Sequence, residues 1–223
     1  MFNKKLWKRK TMNNYKKLES GRSMIEMLGV LAIIGVLSVG GIAGYSKAMN
    51  KFKTNKVADN VSMLVANIKT LYAQQNTYTG LDNENAVKLG VVPEELGTDE
   101  NLKNAFSGDV TIAVSDSSSA DDDRAFTLQF DSLSKEACIA LATNDWGSGY
   151  SSGLIYMKVS KAAIAAEPEG SKGYVGCTGS ASDTDGYVAC PGGSGLKLPM
   201  PVATAVVACA CTTASCSIQW KYY

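Results

Sequence analysis

The sequence contains no histidine. This absence removes the usual general base at neutral pH, the Ser-His-Asp and Cys-His catalytic arrangements, and most zinc sites. There is also no Cys-x-x-Cys redox pair and no glycine-rich phosphate loop after a candidate strand, and Cys209-x-Cys211 lacks the spacing of a zinc knuckle. Because the sequence supplies no nucleophile–base pair, we expect a protein that is not an enzyme and that needs no cofactor.

Proline and cysteine are absent from long parts of the chain. No proline precedes Pro93, which permits one uninterrupted helix over much of the first third. All six cysteines lie in the last 86 residues, from Cys138 onward. This distribution favours disulfides in an oxidising compartment over thiols in the cytosol.

A long apolar run, Gly21–Tyr45, dominates the N-terminal part of the sequence. From Met24 to Tyr45 its one charged residue is Glu26. A bilayer core needs about 20 apolar residues in a helix, so this segment predicts a membrane-competent helix. A charged side chain at the centre of such a helix costs about 2.5–3.5 kcal/mol, and less near an end. Glu26 is therefore a functional candidate whose partner must be identified.

Charge is distributed unevenly around this run. Residues 1–21 carry seven basic side chains and one acidic side chain, a balance of +6, whereas the remainder carries 15 basic and 20 acidic side chains, a balance of −5. A basic flank before the first apolar helix predicts a cytoplasmic N-terminus, with the rest of the chain on the other side of the membrane. Nucleic-acid binding by the basic run is a less common alternative.

Two common kinds of N-terminal segment fit the pattern less well. A secretory signal peptide has an apolar region of about 7–15 residues that ends in a small-residue cleavage site, whereas this run is longer and Ser38–Gly44 is a poor match. A plain signal anchor is the second alternative. Neither accounts for Glu26 or for Gly21 at the boundary between basic and apolar residues.

The hexapeptide GRSMIE, followed by the apolar helix, resembles the class III signal of type IV prepilins and related pseudopilins. The resemblance implies cleavage between Gly21 and Arg22 by a prepilin peptidase and N-methylation of Arg22. It makes Glu26 the fifth residue of a mature chain of 202 residues. The leader of 21 residues resembles that of the type IVb subclass. Arg22 departs from the Phe or Met that usually begins the mature chain.

The resemblance also implies an assembly role for Glu26. In that family the carboxylate pairs with the terminal amine, here on Arg22, of a neighbouring subunit and sets the register of the helices. This fits the physical expectation that a carboxylate in hydrocarbon needs a partner. The implied partners are further copies of the chain in a helical filament, the prepilin peptidase, an inner-membrane assembly platform and membrane lipid before assembly, with no nucleic acid required.

The helix is expected to continue beyond the apolar run, from about Ser23 to Gln75. Apolar residues recur there at three- and four-residue steps, which predicts an amphipathic second half. They are Met49, Phe52, Val57, Val61, Leu64, Val65, Ile68, Leu71 and Tyr72. Glycines in the first half, Gly35, Gly40, Gly41 and Gly44, permit either close helix packing or local unwinding during assembly.

The remainder predicts an α+β head in which this long helix packs on a mainly antiparallel sheet, as in type IV pilins. Asp82 or Asn83 is a candidate N-cap for a short helix that ends at Leu89, and Ser134 for a second one that begins at Lys135. The predicted strands are Val110–Val114, Ala125–Phe130, Leu154–Val159, Tyr187–Cys190, Val202–Cys209 and Ser217–Tyr223.

The segment Leu133–Thr143 resembles the cysteine-bearing second helix of type IVb pilins. The resemblance implies a disulfide from Cys138 to a cysteine near the C-terminus, Cys209, Cys211 or Cys216, without choosing among them. If Cys209 and Cys211 share a strand, they lie about 6.6 Å apart on one face, a poor distance for a bridge. Cys177 and Cys190 flank a Gly/Ser-rich loop. The favoured set is Cys138–Cys209, Cys177–Cys190 and Cys211–Cys216.

A calcium site is a weak candidate at Asp183 and Asp185. The sequence Asp-Thr-Asp-Gly resembles part of a calcium loop, but the twelfth position is Ser194 rather than the bidentate Glu of an EF-hand. Turns and a solvated acidic surface are the simpler explanation, and the sequence predicts no other metal site.

These observations predict a structural pilin subunit, the major subunit of a type IVb-like pilus, first in the bacterial inner membrane and then in an extracellular filament that serves adhesion or aggregation. A minor pilin or a type II secretion pseudopilin is the first alternative. A membrane-anchored extracytoplasmic enzyme or binding domain is the second. The predicted parts are the leader 1–21, the hydrophobic helix 22–45, the amphipathic helix 46–75 and the α+β head 76–223.

Overall fold

The computed structural model divides the chain into two compact units, residues 1–45 and 46–223. The four-part division expected from the sequence stays a prediction. The structure describes residues 23–115, 122–147, 152–164, 180–182, 186–191, 195–212 and 215–223.

The first helix, α1, spans Met24–Leu71. It begins one residue and ends four residues inside the limits expected from the sequence. A turn follows, in which the Tyr72 amide still donates to the Ile68 carbonyl at 3.0 Å, and the chain then reaches Gly80 in a left-handed conformation with φ of 81°. Glycine adopts this conformation without the steric penalty of a Cβ.

The second half of α1 buries one face in the core of the 46–223 unit. Val57, Val61, Leu64 and Ile68 are fully buried at helical spacing, as the sequence pattern predicts. Phe52 and Leu71 were expected on the same face, but both side chains are exposed, Phe52 by 59%. The prediction is wrong for these two residues. The buried stripe runs from Val57 to Ile68 in steps of four, three and four residues, and Phe52 and Leu71 lie beyond its two ends.

Two short helices begin at side-chain caps. The helix α2, Asn83–Lys88, is capped by Asp82, whose Oδ1 accepts from the Asn85 amide at 2.7 Å. The alternative cap, Asn83, instead donates to the carbonyls of Glu100 and Val110 and accepts from the Ile112 amide at 2.7 Å. The predicted Ser134 cap is confirmed for α3, Lys135–Ala142. Single 3-10 turns lie at Glu94–Leu96 and Asp122–Arg124.

The described strands are β1 (Val110–Val114), β2 (Phe126–Leu133), β3 (Leu154–Ser160), β4 (Ser180–Ser182), β5 (Gly186–Ala189) and β6 (Cys216–Tyr222). They form one antiparallel sheet in the order β1-β2-β6-β3-β5-β4, so the last strand lies between β2 and β3. Buried side chains of β1, β2, β3, β5 and β6 belong to the main core. A second, smaller cluster contains Ile155 and Tyr156 of β3 and Val188 of β5.

The predicted strand Val202–Cys209 is wrong, because these residues form a helix, α4, at Val202–Ala208. Valine content favoured a strand, but the alanines have high helix propensity and Pro201 stands just before the first turn. Ala205, Ala208 and Cys209 are buried at helical spacing. Cys209 caps the end of α4, so Cys209 and Cys211 do not share a strand.

Two disulfides fix the C-terminal part of the chain. Cys138 of α3 is bonded to Cys209 after α4, with 5.8 Å between their Cα atoms. Cys211 is bonded to Cys216 at the start of β6, with 5.6 Å between their Cα atoms. Both pairs belong to the set favoured from the sequence. They tie α3 to α4 and α4 to the central strand.

Candidate functional site

The first half of α1, Met24–Tyr45, exposes apolar side chains in all directions. Its large apolar side chains are between 48% and 85% exposed, which is far from their usual state in a soluble protein. A helix that is hydrophobic all round is stable only inside a protein core, a membrane or an assembly. They are Met24, Ile25, Met27, Leu28, Val30, Leu31, Ile33, Ile34, Val36, Leu37, Val39, Ile42 and Tyr45.

By its length and composition, this half of α1 is long and apolar enough to cross a membrane, a property that it shares with signal sequences near an N-terminus. We name Met24–Tyr45 the apolar segment. Its surface must be covered either by lipid or by other protein.

Glu26 lies in the first turn of α1 and is exposed. Its amide donates to the Ser23 carbonyl at 2.9 Å, so the backbone is already helical at this position. The helix dipole favours a carboxylate here by about 0.3–1 kcal/mol. Within the described part of the chain no basic side chain forms an ion pair with Glu26. Any ion-pair partner of Glu26 therefore lies in residues 1–22 or outside the chain.

Space around the glycines of the apolar segment is open. A Cβ added to Gly35, Gly40, Gly41 or Gly44 would have no atom within 4 Å other than the helix's own backbone. The described subunit therefore has no steric need for glycine at these positions. Small residues in such a segment allow helices of different subunits to approach closely.

Several predicted site residues lie outside the described part of the structure. Gly21 and Arg22, the predicted cleavage and methylation site, are among them, as are the calcium candidates Asp183 and Asp185 and the cysteine Cys177. Their roles stay predictions.

Cys190 is bonded in a disulfide. Among the described residues, one cluster has the spacing of metal ligands, Cys138, Cys209 and Cys216, and all three sulfurs belong to disulfides. Sulfurs in disulfides are not thiolates, the form that binds metal.

A set of lysines lies on α1 just after the apolar segment. Lys47, Lys51, Lys53 and Lys56, which we name the basic collar, follow Tyr45 within eleven residues. The signal that could have singled them out is the absence of any acidic residue from 46 to 58.

Lys47 and Lys51 line a cleft of about 440 Å³ between α1 and α3, together with Asn50, Thr54 and Asn55 on α1 and Glu136 and Ala140 on α3. The cleft combines cationic and amide donors with one carboxylate. Such a lining can bind an anionic oxygen group.

Residues 51–183, more than half of the chain, match the family model described as PilS N terminal. The major structural subunit of bundle-forming pilus from Escherichia coli O127:H6 (strain E2348/69 / EPEC) is 29% identical over 141 residues, which are 62% of this chain and 70% of that protein. The protein of the same description from Escherichia coli O111:H- has the same identity and coverage.

Two solved structures are also similar to this chain. The type IV pilin TcpA from the Vibrio cholerae El Tor biotype has a TM-score of 0.46 at 19% identity, over 77% of this chain and 99% of that chain. A type IV b pilin from Salmonella typhi has a TM-score of 0.42 at 11% identity, over 72% of this chain and 93% of that chain.

Proposed function

Because the chain belongs to the PilS family of type IV pilins, we propose that it is the major structural subunit of a type IVb-like pilus. The relatives from Escherichia coli, described as major structural subunits of bundle-forming pilus, support this choice over a minor pilin or a pseudopilin. A subunit of this kind acts through assembly and needs no catalytic group.

The exposed apolar segment carries the proposal. Its thirteen large apolar side chains are all at least 48% exposed in the single chain. Full burial of one such side chain contributes about 1.5–3 kcal/mol, so leaving the whole segment in water is strongly unfavourable. Lipid covers the segment in the inner membrane, and the same segments of neighbouring subunits cover it in the filament.

Glu26 directs the change between these two surroundings. In the proposed pathway a prepilin peptidase cuts after Gly21, and Arg22 then carries a new α-amine that is methylated. The Glu26 carboxylate pairs with this terminus on the neighbouring subunit, at a platform in the inner membrane. The pair satisfies a charge that is costly in an apolar surrounding and fixes the axial register of the helices.

The proposed cellular location of the chain follows from its charge pattern and from the apolar segment. The basic leader holds the N-terminus in the cytoplasm, and the α+β unit is on the far side of the membrane, where its disulfides form. After assembly the subunit is part of an extracellular filament that serves adhesion or aggregation.

The test is co-expression of the full chain with a prepilin peptidase and an assembly system, using Glu26→Gln as the key variant. We expect the wild-type chain to lose 21 residues and to dominate sheared surface filaments. Gln retains the ability to cap a helix from the third position but carries no charge. Glu26→Gln should therefore be cut and inserted normally and yield at least tenfold fewer filaments, about 1.4 kcal/mol or more of lost assembly energy.

The matched control is Glu100→Gln, which removes an exposed carboxylate of the 46–223 unit and should leave the yield of filaments unchanged. An uncleaved wild-type chain would contradict the prepilin interpretation. A cleaved chain that is scarce in the filaments would indicate a minor pilin or a pseudopilin. Normal filaments from Glu26→Gln would reduce Glu26 to a helix-capping role.

A further inference from the structure

Charge in the unit after the apolar segment is segregated along the sequence. Residues 46–58 carry the four lysines of the basic collar and no acidic side chain. Residues 59–223 carry 10 basic and 19 acidic side chains, a balance of −9. A positive band thus separates the apolar segment from an acidic remainder.

Lys47 and Lys51 are the available cations of the collar. Lys56 is paired with Glu95 at 2.9 Å, and the Lys53 ammonium lies 5.6 Å from the centre of the Phe106 ring. Lys47 and Lys51 are exposed, lie one helical turn apart on the same face, and form no ion pair with any described carboxylate. Two unneutralised cations on one face form a site for anions.

The position of these lysines on α1 matches the headgroup layer of a bilayer. Tyr45 ends the apolar segment, and tyrosine favours the membrane–water interface. At 1.5 Å per residue, Lys47 and Lys51 follow Tyr45 by about 3 Å and about 9 Å along the helix. The polar layer on each side of a bilayer is roughly 5–8 Å thick. The two ammonium groups can therefore contact lipid phosphates.

We propose that the basic collar binds the phosphate groups of anionic phospholipids while the chain resides in the membrane. Lys47 and Lys51 provide the charge, and Asn50 and Asn55 add amide donors in the same cleft. Glu136, on the α3 side of the cleft, opposes the anion and limits the affinity. The proposal rests on the membrane stage of the proposed function and adds the class of lipid that the subunit prefers.

The collar is compatible with the orientation expected from the leader. Its charge of +4 is on the non-cytoplasmic side, whereas the leader carries +6. The larger basic flank determines the orientation under the positive-inside rule. The collar is thus better explained by an interaction with lipid than by topology.

The experiment uses the full chain in lipid nanodiscs that contain equal amounts of phosphatidylcholine and phosphatidylglycerol. Native mass spectrometry measures the ratio of the two lipids that stay bound when the disc is removed. We expect phosphatidylglycerol to be enriched on the wild-type chain. The part of this enrichment that the collar adds to the constant contribution of the basic leader should fall about fivefold for each lysine removed in Lys47→Gln/Lys51→Gln. Glu136→Gln should increase the enrichment.

The control variant is Lys88→Gln/Lys103→Gln, which removes the same charge from exposed lysines that are paired with Glu84 and Asp109. It should leave the enrichment unchanged, and the leader contributes equally in every variant. Resistance to alkaline extraction reports insertion separately. An inserted wild-type chain without enrichment, or a collar variant that keeps it, overturns the lipid site and leaves the pilin function intact. Failure of insertion overturns both.

Discussion

Tyr222, near the end of β6, is packed among aromatic rings and a half-buried lysine of α1. Its ring stacks on Phe126 with 5.9 Å between the centroids, and the Lys69 ammonium lies 5.2 Å from its centre. Lys69 also donates to the Ser152 carbonyl at 2.9 Å. Burial raises the pKa of Tyr222 and lowers the pKa of Lys69. The end of the central strand is thus fixed to α1 by groups that titrate at alkaline pH.

The pKa of Tyr222 predicts a loss of stability at alkaline pH. Above pH 10 the unfolded chain releases the tyrosine proton that the folded chain retains, so the free energy of unfolding falls as the pH rises toward the folded pKa. One group changes the slope by at most about 1.4 kcal/mol per pH unit. Urea unfolding of the full chain in a mild detergent between pH 9 and about pH 12 measures this slope.

Tyr222→Phe should make the slope shallower without removing it, since burial also raises the pKa of Tyr72 and Tyr78. Lys69 acts in the opposite direction below pH 10.5. Its folded form releases a proton that the unfolded form keeps, so its contribution to stability increases as the pH rises through that window. Tyr45→Phe, in the apolar segment, is the control. An unchanged slope in Tyr222→Phe would contradict the assignment.

At the scale of elements, the sequence predicts correctly the helices that have a periodic apolar pattern or a side-chain cap. It fails for a helix whose formation depends on tertiary contacts. Met24–Leu71 is recognisable from its apolar run and the stripe at Val57, Val61, Leu64 and Ile68. The helix α4 is not recognisable from the sequence, because Val202–Ala208 has the composition of a strand. Its helical form is stabilised by the burial of Ala205 and Ala208 and by the disulfide at Cys209. A contact with a distant α3 leaves no local signal.

The residues of the candidate site also differ in how well the sequence alone indicates them. Glu26 stands out because it is the one carboxylate in an apolar run, and an unpaired charge in hydrocarbon is costly. Lys47 and Lys51 do not stand out in the sequence, because lysines on a helix are common. The structure distinguishes them, since Lys56 is paired with Glu95 and Lys53 lies near the Phe106 ring. Lys47 and Lys51 are therefore the two lysines of the collar that remain available to bind an anion. The contacts of each lysine in the structure, rather than its residue type, separate the paired lysines from the available ones.

At the scale of elements, we predict that glycines of the apolar segment are needed for assembly of the filament. Gly40→Ala/Gly41→Ala adds two methyl groups where the single chain has open space, and each change favours the helix by up to about 1 kcal/mol. The variant should insert into the membrane and unfold no more readily than wild type. Because the helices of a filament pack closely, we expect the yield of sheared filaments to fall severalfold.

Ser38→Ala is the matched control, since it changes a small residue of the same segment without changing backbone freedom. Electron microscopy of sheared preparations measures the yield. Wild-type yield from the glycine variant would show that neither close packing nor unwinding at Gly40 and Gly41 is needed for assembly.

At the scale of the whole molecule, the two described disulfides differ in the length of chain that they close. Cys138 and Cys209 are separated by 71 residues, and Cys211 and Cys216 by 5. In the chain-entropy description, loops of these lengths correspond to about 4 kcal/mol and about 2 kcal/mol of stabilisation. The long-range bond therefore carries the larger share.

We expect Cys138→Ser/Cys209→Ser to lower the free energy of unfolding by roughly twice as much as Cys211→Ser/Cys216→Ser. Each variant removes both partners, so no free thiol is left to pair wrongly. Urea unfolding of the full chain in detergent provides the two values. Equal losses would show that buried packing at these sites, and not loop closure, dominates their contribution.

The position of β6 determines the timing of folding during synthesis. The sheet has a gap between β2 and β3 until residues 216–222 arrive, about 170 residues after the apolar segment has left the ribosome. At a synthesis rate of roughly 5–20 residues per second, this interval lasts on the order of 10 to 30 seconds. The N-terminal segment can therefore reach a membrane while the sheet is still incomplete.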